Sequence, residues 1–196
     1  MIEESKHLDI GCGGNPRNPY FCEELHGIDI KKRSDSDYSG ITMHEADVIF
    51  DPLPFDNDFF NSISAYDFIE HIPRIIYRND KASFPFIDFM NEIYRILKKK
   101  GKFFAITPIY PLESAFIDPT HVNFITKGSH KYFTEPDVWA KMYGFDGSFK
   151  IKKVKRINFH FEVNTPKNVF KKIGYLIFIL LYPKSKQHIL WEFIKN

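Results

Sequence analysis

An α/β fold, doubly wound around a mostly parallel sheet, is predicted for this chain by three observations. Short apolar or β-branched runs alternate with helical patterns. The first run breaks into glycines at Gly11, Gly13 and Gly14. Acidic residues close the second and third runs, at Asp29 and Asp47. Strands alternating with helices pair in parallel through crossovers, which cover the sheet on both faces.

The elements follow in order. Residues 7–11, 26–30, 41–48 and 62–66 predict four strands. Residues 88–101 place Phe89, Met90, Ile93, Ile96 and Leu97 at helical spacing and end in lysines and Gly101, which favour a helix C-terminus. A fifth strand is expected at 102–108, and a helix closed by Gly144 at 135–145. Residues 149–159 alternate apolar and basic side chains, as an edge strand with one wet face does. A last strand falls at 188–196. No repeat, low-complexity tract or linker divides the chain, so one domain spans 1–196.

Composition narrows the function classes. The 196 residues are 43% hydrophobic and 27% charged, ordinary for a globular domain. A net charge of +2 makes no case for a nucleic-acid partner. Cys12 and Cys22 are the only cysteines, too few for a disulfide framework. The first residues lack a signal-peptide pattern, and no apolar run reaches the roughly 20 residues of a membrane span. A cytoplasmic protein is expected.

The stretch Leu8 to Pro19 reads as strand, tight turn and helix start. Gly11 and Gly13 permit positive φ and close approach of a ligand to the backbone. Pro16 and Pro19 suit a first helical turn. A Rossmann-like sheet binds a nucleotide-like ligand at such a turn. Pro16 stands where the dinucleotide fingerprint needs its third glycine. Asp29, eighteen residues beyond Gly11, suits a ribose, and Asp47 could accept from an adenine amino group. Both carboxylates also read as ordinary strand-end turn residues.

Taken together, residues 8–16, 26–30, 45–48, 51–73 and 92–108 resemble class I S-adenosylmethionine-dependent methyltransferases of the small type-11 or type-23 kind. The resemblance implies a Rossmann-like, seven-stranded sheet with an antiparallel last strand, suiting 188–196. It also implies a cofactor half over about 1–108 and an acceptor half over about 109–196. Gly11, Cys12 and Gly13 would line the methionine part of S-adenosylmethionine, with Cys12 a turn residue rather than a nucleophile. Asp29 with Ile30 would hold the ribose, Asp47 with Val48 would flank the adenine, and Ala65–Tyr66 would pass beside the cofactor. One departure is the short spacing from Arg17 to Leu25, which leaves room for about two helical turns at most.

Methyl transfer also needs acceptor alignment and, for a hydroxyl, a base. Asp67, Glu70 and His71 fall at i, i+3 and i+4 after the fourth strand, and His121 follows the fifth. His71 and His121 are therefore the candidates to serve the acceptor oxygen. The same pattern resembles metal-dependent methyltransferases of vicinal hydroxyls, in which case Asp67, Glu70, His71 and His121 would hold a divalent metal. Capping and purely structural roles for these residues stay open.

The acceptor half is less legible. Residues 173–182 form an apolar centre flanked by lysines and closed by Pro183. Such a segment packs on the domain or lies on a membrane surface, which would place the protein at the inner face of a membrane. The tail resembles that of methyltransferases of surface-polysaccharide synthesis, pointing to O-methylation of a small molecule, a sugar or a lipid-linked glycan. Two other readings stay open: a nicotinamide-dependent oxidoreductase with Lys31, Lys32 and Arg33 near a phosphate, and a non-catalytic cofactor-binding partner.

Overall fold

The computed structural model describes residues 4–31, 40–78, 80–163, 169–182 and 186–196. The strands are β1 (Lys6–Ile10), β2 (Glu24–Asp29), β3 (Ile41–Glu45), β4 (Phe60–Tyr66), β5 (Ile76–Arg78), β6 (Lys81–Ser83), β7 (Leu97–Pro108), β8 (Phe149–Ile157) and β9 (His188–Lys195). The helices are α1 (Pro85–Ile96), α2 (Phe159–Val163) and α3 (Val169–Leu181). Seven strands form one sheet in the order β3-β2-β1-β4-β7-β9-β8, and β5 and β6 make a separate hairpin. The pairs from β3 through β7 are parallel. β9 runs antiparallel to both β7 and β8. The expected mostly parallel sheet with an antiparallel last strand is thus present.

Strand alternation sorts the side chains into two faces. Leu8, Ile10, Ile63, Ala65, Phe103 and Trp191 join the main core. α1 buries Phe86, Phe89, Met90, Ile93 and Ile96 against that side. Its N-terminus uses Pro85 in the first turn, where a missing N–H costs nothing. The helix stops at Ile96, short of the predicted 101. Lys98, Lys99, Lys100 and Gly101 belong instead to a bulged start of β7, where the register jumps between the Phe60↔Leu97 and Ser62↔Lys102 pairs.

α1 and α2 pack on opposite faces of the sheet, but near the glycine turn the second face has no helix among the described residues. The helix start after Gly14 does not form. Asn18 turns its side chain on Cys22 instead, accepting from the Cys22 N–H at 3.0 Å and donating to the Cys22 carbonyl at 2.8 Å. Such side-chain bonds satisfy the backbone locally and compete with helix. The Arg17 N–H is drawn down to the Asp9 carboxylate at 2.8 Å. An irregular segment therefore lies over this part of the second face, with Tyr20 donating to Glu192 at 2.7 Å. Farther along, Tyr66, Ile106, Ile157 and Leu190 cluster with Phe159 and Val163 of α2.

Two other boundaries differ from expectation. β3 ends at Glu45, so Asp47 and Val48 sit in the turn beyond the strand. The predicted helix 135–145 is a 3-10 stretch at Trp139–Tyr143. Val138 takes a left-handed φ of 42° just before it, which breaks the helical path begun near Pro136, while Gly144 closes it at φ 91°.

Candidate functional site

The order of strands reverses between β1 and β4, and the C-terminal ends on either side of that point form the crevice where such sheets bind ligands. Gly11 and Gly13 turn the chain there, at φ 64° and 56°. The Gly11 N–H donates to the Ile28 carbonyl at 2.9 Å, and the Gly13 N–H donates to the Asp29 carboxylate at 2.8 Å. The two glycines have different roles. A Cβ on Gly11 would fall on the Phe68 ring, so this glycine admits Phe68. A Cβ on Gly13 would meet nothing within 4 Å, leaving open space above the turn.

Beneath the turn lies a buried polar chain that sequence reading missed. His7 and Asp9 project from β1 toward Ser62 and Ser64 of β4, all nearly inaccessible. The Ser64 hydroxyl donates to Asp9 at 2.6 Å. His7 contacts Ser64 at 2.8 Å and Ser62 at 2.7 Å, and Cys22 approaches Ser62 at 3.4 Å. One assignment of protons satisfies every link: each group donates toward the next, and all converge on the Asp9 carboxylate. Burial lowers the His7 pKa to about 3, so the ring is neutral, and raises that of Asp9 to about 7 against the pull of its hydrogen bonds. Burial and the nearby Asp9 and Asp29 carboxylates push the Cys12 thiol up to about 12. It is no nucleophile.

The remaining cofactor candidates line the same edge. Ile30 is exposed beside Asp29. Asp47 accepts the Ile49 N–H at 3.1 Å, an Asx turn that accounts for one of its carboxylate oxygens. Val48 leans on the core. Ala65 faces α1, whereas Tyr66 turns to the other face under the Arg17 guanidinium, 4.5 Å from its ring.

Glu70 and His71 occupy a 3-10 turn, Ile69–His71, directly after β4. The turn is clamped by Asn123, whose side chain donates to the Ile69 carbonyl at 3.1 Å and whose N–H reaches the Glu70 carbonyl at 2.8 Å. His121 is brought alongside, its ring centroid 4.8 Å from that of His71. Ligand atoms of Glu70, His71 and His121 lie within 4.8 Å of one another. Asp67 does not join them. It takes a left-handed φ of 46°, and its carboxylate pairs with His188 at 3.3 Å.

Glu70 is 2% exposed, and one of its oxygens accepts from Thr107 at 2.8 Å. Its other oxygen, which His121 Nε2 approaches at 4.0 Å, and Nδ1 of His121 are buried without a hydrogen-bond partner. Burial, with the Asp67 and Asp118 charges behind it, raises the Glu70 pKa to about 8. His71 has a better-defined setting. Thr120 donates to Asp118 at 2.6 Å, so His71 Nδ1–H donates to the Thr120 oxygen at 2.9 Å, and the lone pair falls on Nε2. Asp118 is held below the usual carboxylate range by the side-chain and backbone bonds from Thr120. Thr107, Asn123 and Thr120 were not singled out from sequence, because nothing in their local pattern marks them.

A glycine turn with a strand-end acid at the switch point defines a nucleotide-cofactor-binding α/β protein. A family model described as Methyltransferase domain, of type 11, matches residues 8–105, half of the chain. The protein belongs to this family of S-adenosylmethionine-dependent methyltransferases. No sequence among the curated proteins matches it. The fold is similar to that of YcgJ from Bacillus subtilis, at 17% identity and a TM-score of 0.54, covering 98% of this chain and 92% of that one. It is also similar to an S-adenosylmethionine-dependent methyltransferase from Mesorhizobium loti, at 12% identity and a TM-score of 0.58, covering 99% and 92%. S-adenosylmethionine, rather than a nicotinamide, is the cofactor of the family, and the open turn at Gly13 beside a carboxylate fits it.

Two outcomes test this geometry. Asp29→Ala removes a carboxylate from the turn and weakens S-adenosylhomocysteine binding by about 1–3 kcal/mol in titration calorimetry; unchanged affinity would take Asp29 out of the site. Glu70 carries the pH signature. Its pKa is about 8 in the folded chain against 4.5 for the free group, so the folded state binds more protons between those values. Stability from this group is therefore present below about 4.5 and lost as pH rises toward 8. The stability difference between wild type and Glu70→Gln, measured by urea unfolding, should shrink or reverse across that window; a flat difference would mean that Glu70 is not held protonated.

Proposed function

We propose that this methyltransferase methylates an oxygen of a small-molecule, sugar or lipid-linked glycan acceptor, with His71 as the base. The supporting observation is the oriented imidazole: Thr120 and Asp118 hold Nδ1–H of His71, leaving Nε2 to take a proton. The arrangement follows the general logic of a base oriented by a third group. S-adenosylmethionine supplies an electrophilic methyl group when bound. Gly11, Cys12, Gly13 and Asp29, with Ile30, Asp47 and Val48 at the adenine end, hold the cofactor. His71 accepts the hydroxyl proton as the oxygen becomes a nucleophile, and His121 borders the same acceptor space. Glu70, protonated near neutrality, adds no negative charge that would compete for the acceptor proton.

A second reading has its own observation. The orphaned oxygen of Glu70 and the orphaned Nδ1 of His121 suit a divalent metal held by Glu70, His71 and His121. A metal there would polarise an acceptor hydroxyl, and its binding would require Glu70 to lose its proton.

α3 bears on where the acceptor comes from. Ile173, Leu176, Ile177, Phe178, Leu180 and Leu181 are all exposed, so the helix is apolar around more than one face. Lys171, Lys172 and Lys186 flank its apolar stretch, 173–182, in sequence. No described helix is long and apolar enough to cross a membrane. An interfacial helix on an anionic lipid surface suits both features, and would place the protein at the inner face of a membrane.

His71→Ala should lower methyl transfer about 10²–10⁴-fold while S-adenosylhomocysteine affinity stays unchanged. Turnover at the wild-type rate would eliminate His71 as base. Full activity after chelation, with no thermal shift on adding manganese or zinc, would dismiss the metal. Vesicles of phosphatidylglycerol should co-sediment the protein and release the Leu180→Glu, Leu181→Glu variant. Equal sedimentation of both would remove α3 from the membrane.

A further inference from the structure

Beyond the His71 turn lies a cavity of about 480 Å³, within the range of roughly 300–1,000 Å³ that holds small ligands. It is bounded by the loop after the turn, the start of α1 and the 3-10 turn Ser129–Tyr132. Two contacts join it to the proposed base. Asn123 lines the cavity and clamps the turn that carries Glu70 and His71. Arg74, three residues past His71, lines it too and donates to Asn123 at 2.7 Å and to the Phe124 carbonyl.

The lining decides what would be comfortable inside. Phe84, Phe86, Phe133, Tyr132 and Tyr143 make the walls largely aromatic. Phe86 and Phe133 meet edge to face, presenting ring surfaces suited to a planar apolar body. Apart from the two tyrosine hydroxyls, the uncharged polar side chains, Asn123, Thr126 and Ser129, are already engaged. The Asn123 oxygen accepts from Arg74, and its amide donates to Ile69. The Thr126 and Ser129 hydroxyls lie 3.1 Å apart and also accept from the backbone N–H groups of Gly128 and Thr126. A bare sugar would leave many hydroxyls unmatched against these walls, each at a desolvation cost. Arg74 is different. It has five N–H donors, two of them used above, and those two go to an amide oxygen and a carbonyl, with no carboxylate paired to it among the described residues.

We propose that this cavity binds the body of the methyl acceptor, and that the acceptor is an apolar, ring-bearing acid whose anionic group pairs with Arg74. The inference rests on the methyltransferase reading and narrows its substrate class. Within the acceptors considered above, it favours an amphiphile over a free sugar. The planar fork of Arg74 matches a carboxylate or phosphate, and the aromatic walls exclude water from the rest of the ligand.

A fluorescent hydroxynaphthoate serves as probe, with its neutral carboxamide and maltose as controls, each titrated into protein saturated with S-adenosylhomocysteine. The acid should bind at least about tenfold tighter than the carboxamide, the scale of one charge-assisted hydrogen bond, and maltose should not compete. Arg74→Gln should erase the preference for the acid. Ile75→Glu, at an exposed wall position, should do the same by setting a carboxylate beside the guanidinium without touching the core. S-adenosylhomocysteine affinity is read in every variant. Equal binding of acid and carboxamide, an unaffected Arg74→Gln, or tight maltose binding, with S-adenosylhomocysteine still bound, overturns the cavity proposal and leaves the methyltransferase reading standing. Loss of S-adenosylhomocysteine binding in the wild type overturns both.

Discussion

The Asp9 carboxylate is the constraint on which the cofactor edge depends. It lies under the glycine turn at the end of β1, 1% exposed, and is shared by two parts of the chain. Ser64 approaches it from β4, and the Arg17 N–H comes from the far side of the turn. A carboxyl group buried without hydrogen-bond partners would be costly, so the turn must return its backbone to Asp9. Residues 11–17 are thereby pinned across the switch point, and Gly13 is left to engage Asp29. The donors that converge on Asp9 extend back through His7 to Ser62, so β1 and β4 are locked by side chains as well as by their ladder.

A second buried acid governs the other half of the crevice. Glu70 follows β4, with Thr107 of the neighbouring β7 hydrogen-bonded to one oxygen and His121 Nε2 4.0 Å from the other. Asn123 holds the turn by its backbone, which fixes Glu70 and His71 without using their side chains. The chemistry-bearing atoms stay available because the structural bonds are made elsewhere. His71 in turn obtains its orientation from Thr120 and Asp118, so the geometry of the proposed base depends on the loop that delivers His121.

The short crossover between β1 and β2 has a consequence for the whole domain. A mostly parallel sheet is ordinarily covered by helices, yet here Asn18 and Cys22 close the chain locally and Tyr20 reaches across to Glu192. Thin cover on that face puts greater weight on the core under α1, where the largest buried side chains, Trp191, Phe60, Phe89 and Phe103, are gathered. The apolar surface of α3 is the opposite case, with side chains that find no core among the described residues.

Local pattern alone determined the seven strands of the main sheet though not the β5–β6 hairpin, the helix that became α1, and the pairing of a glycine turn with a strand-end acid. These signals depend on neighbours in sequence: period-two alternation, a helical apolar stripe, and glycines that tolerate positive φ. Tertiary structure decided the rest, because it depends on partners far apart in the chain. Pro16 and Pro19 suited a helix start, but the side chains of Asp9 and Asn18 offered the backbone better bonds. Asp67 had the spacing of a ligand, but its left-handed backbone and His188 turned it away from Glu70 and His71. Thr107 and Asn123 gained roles only when β7 and the following loop came beside β4. A sequence states which groups each residue can offer; long-range pairing selects which are used, since a buried polar group takes whichever partner the folded chain brings within reach.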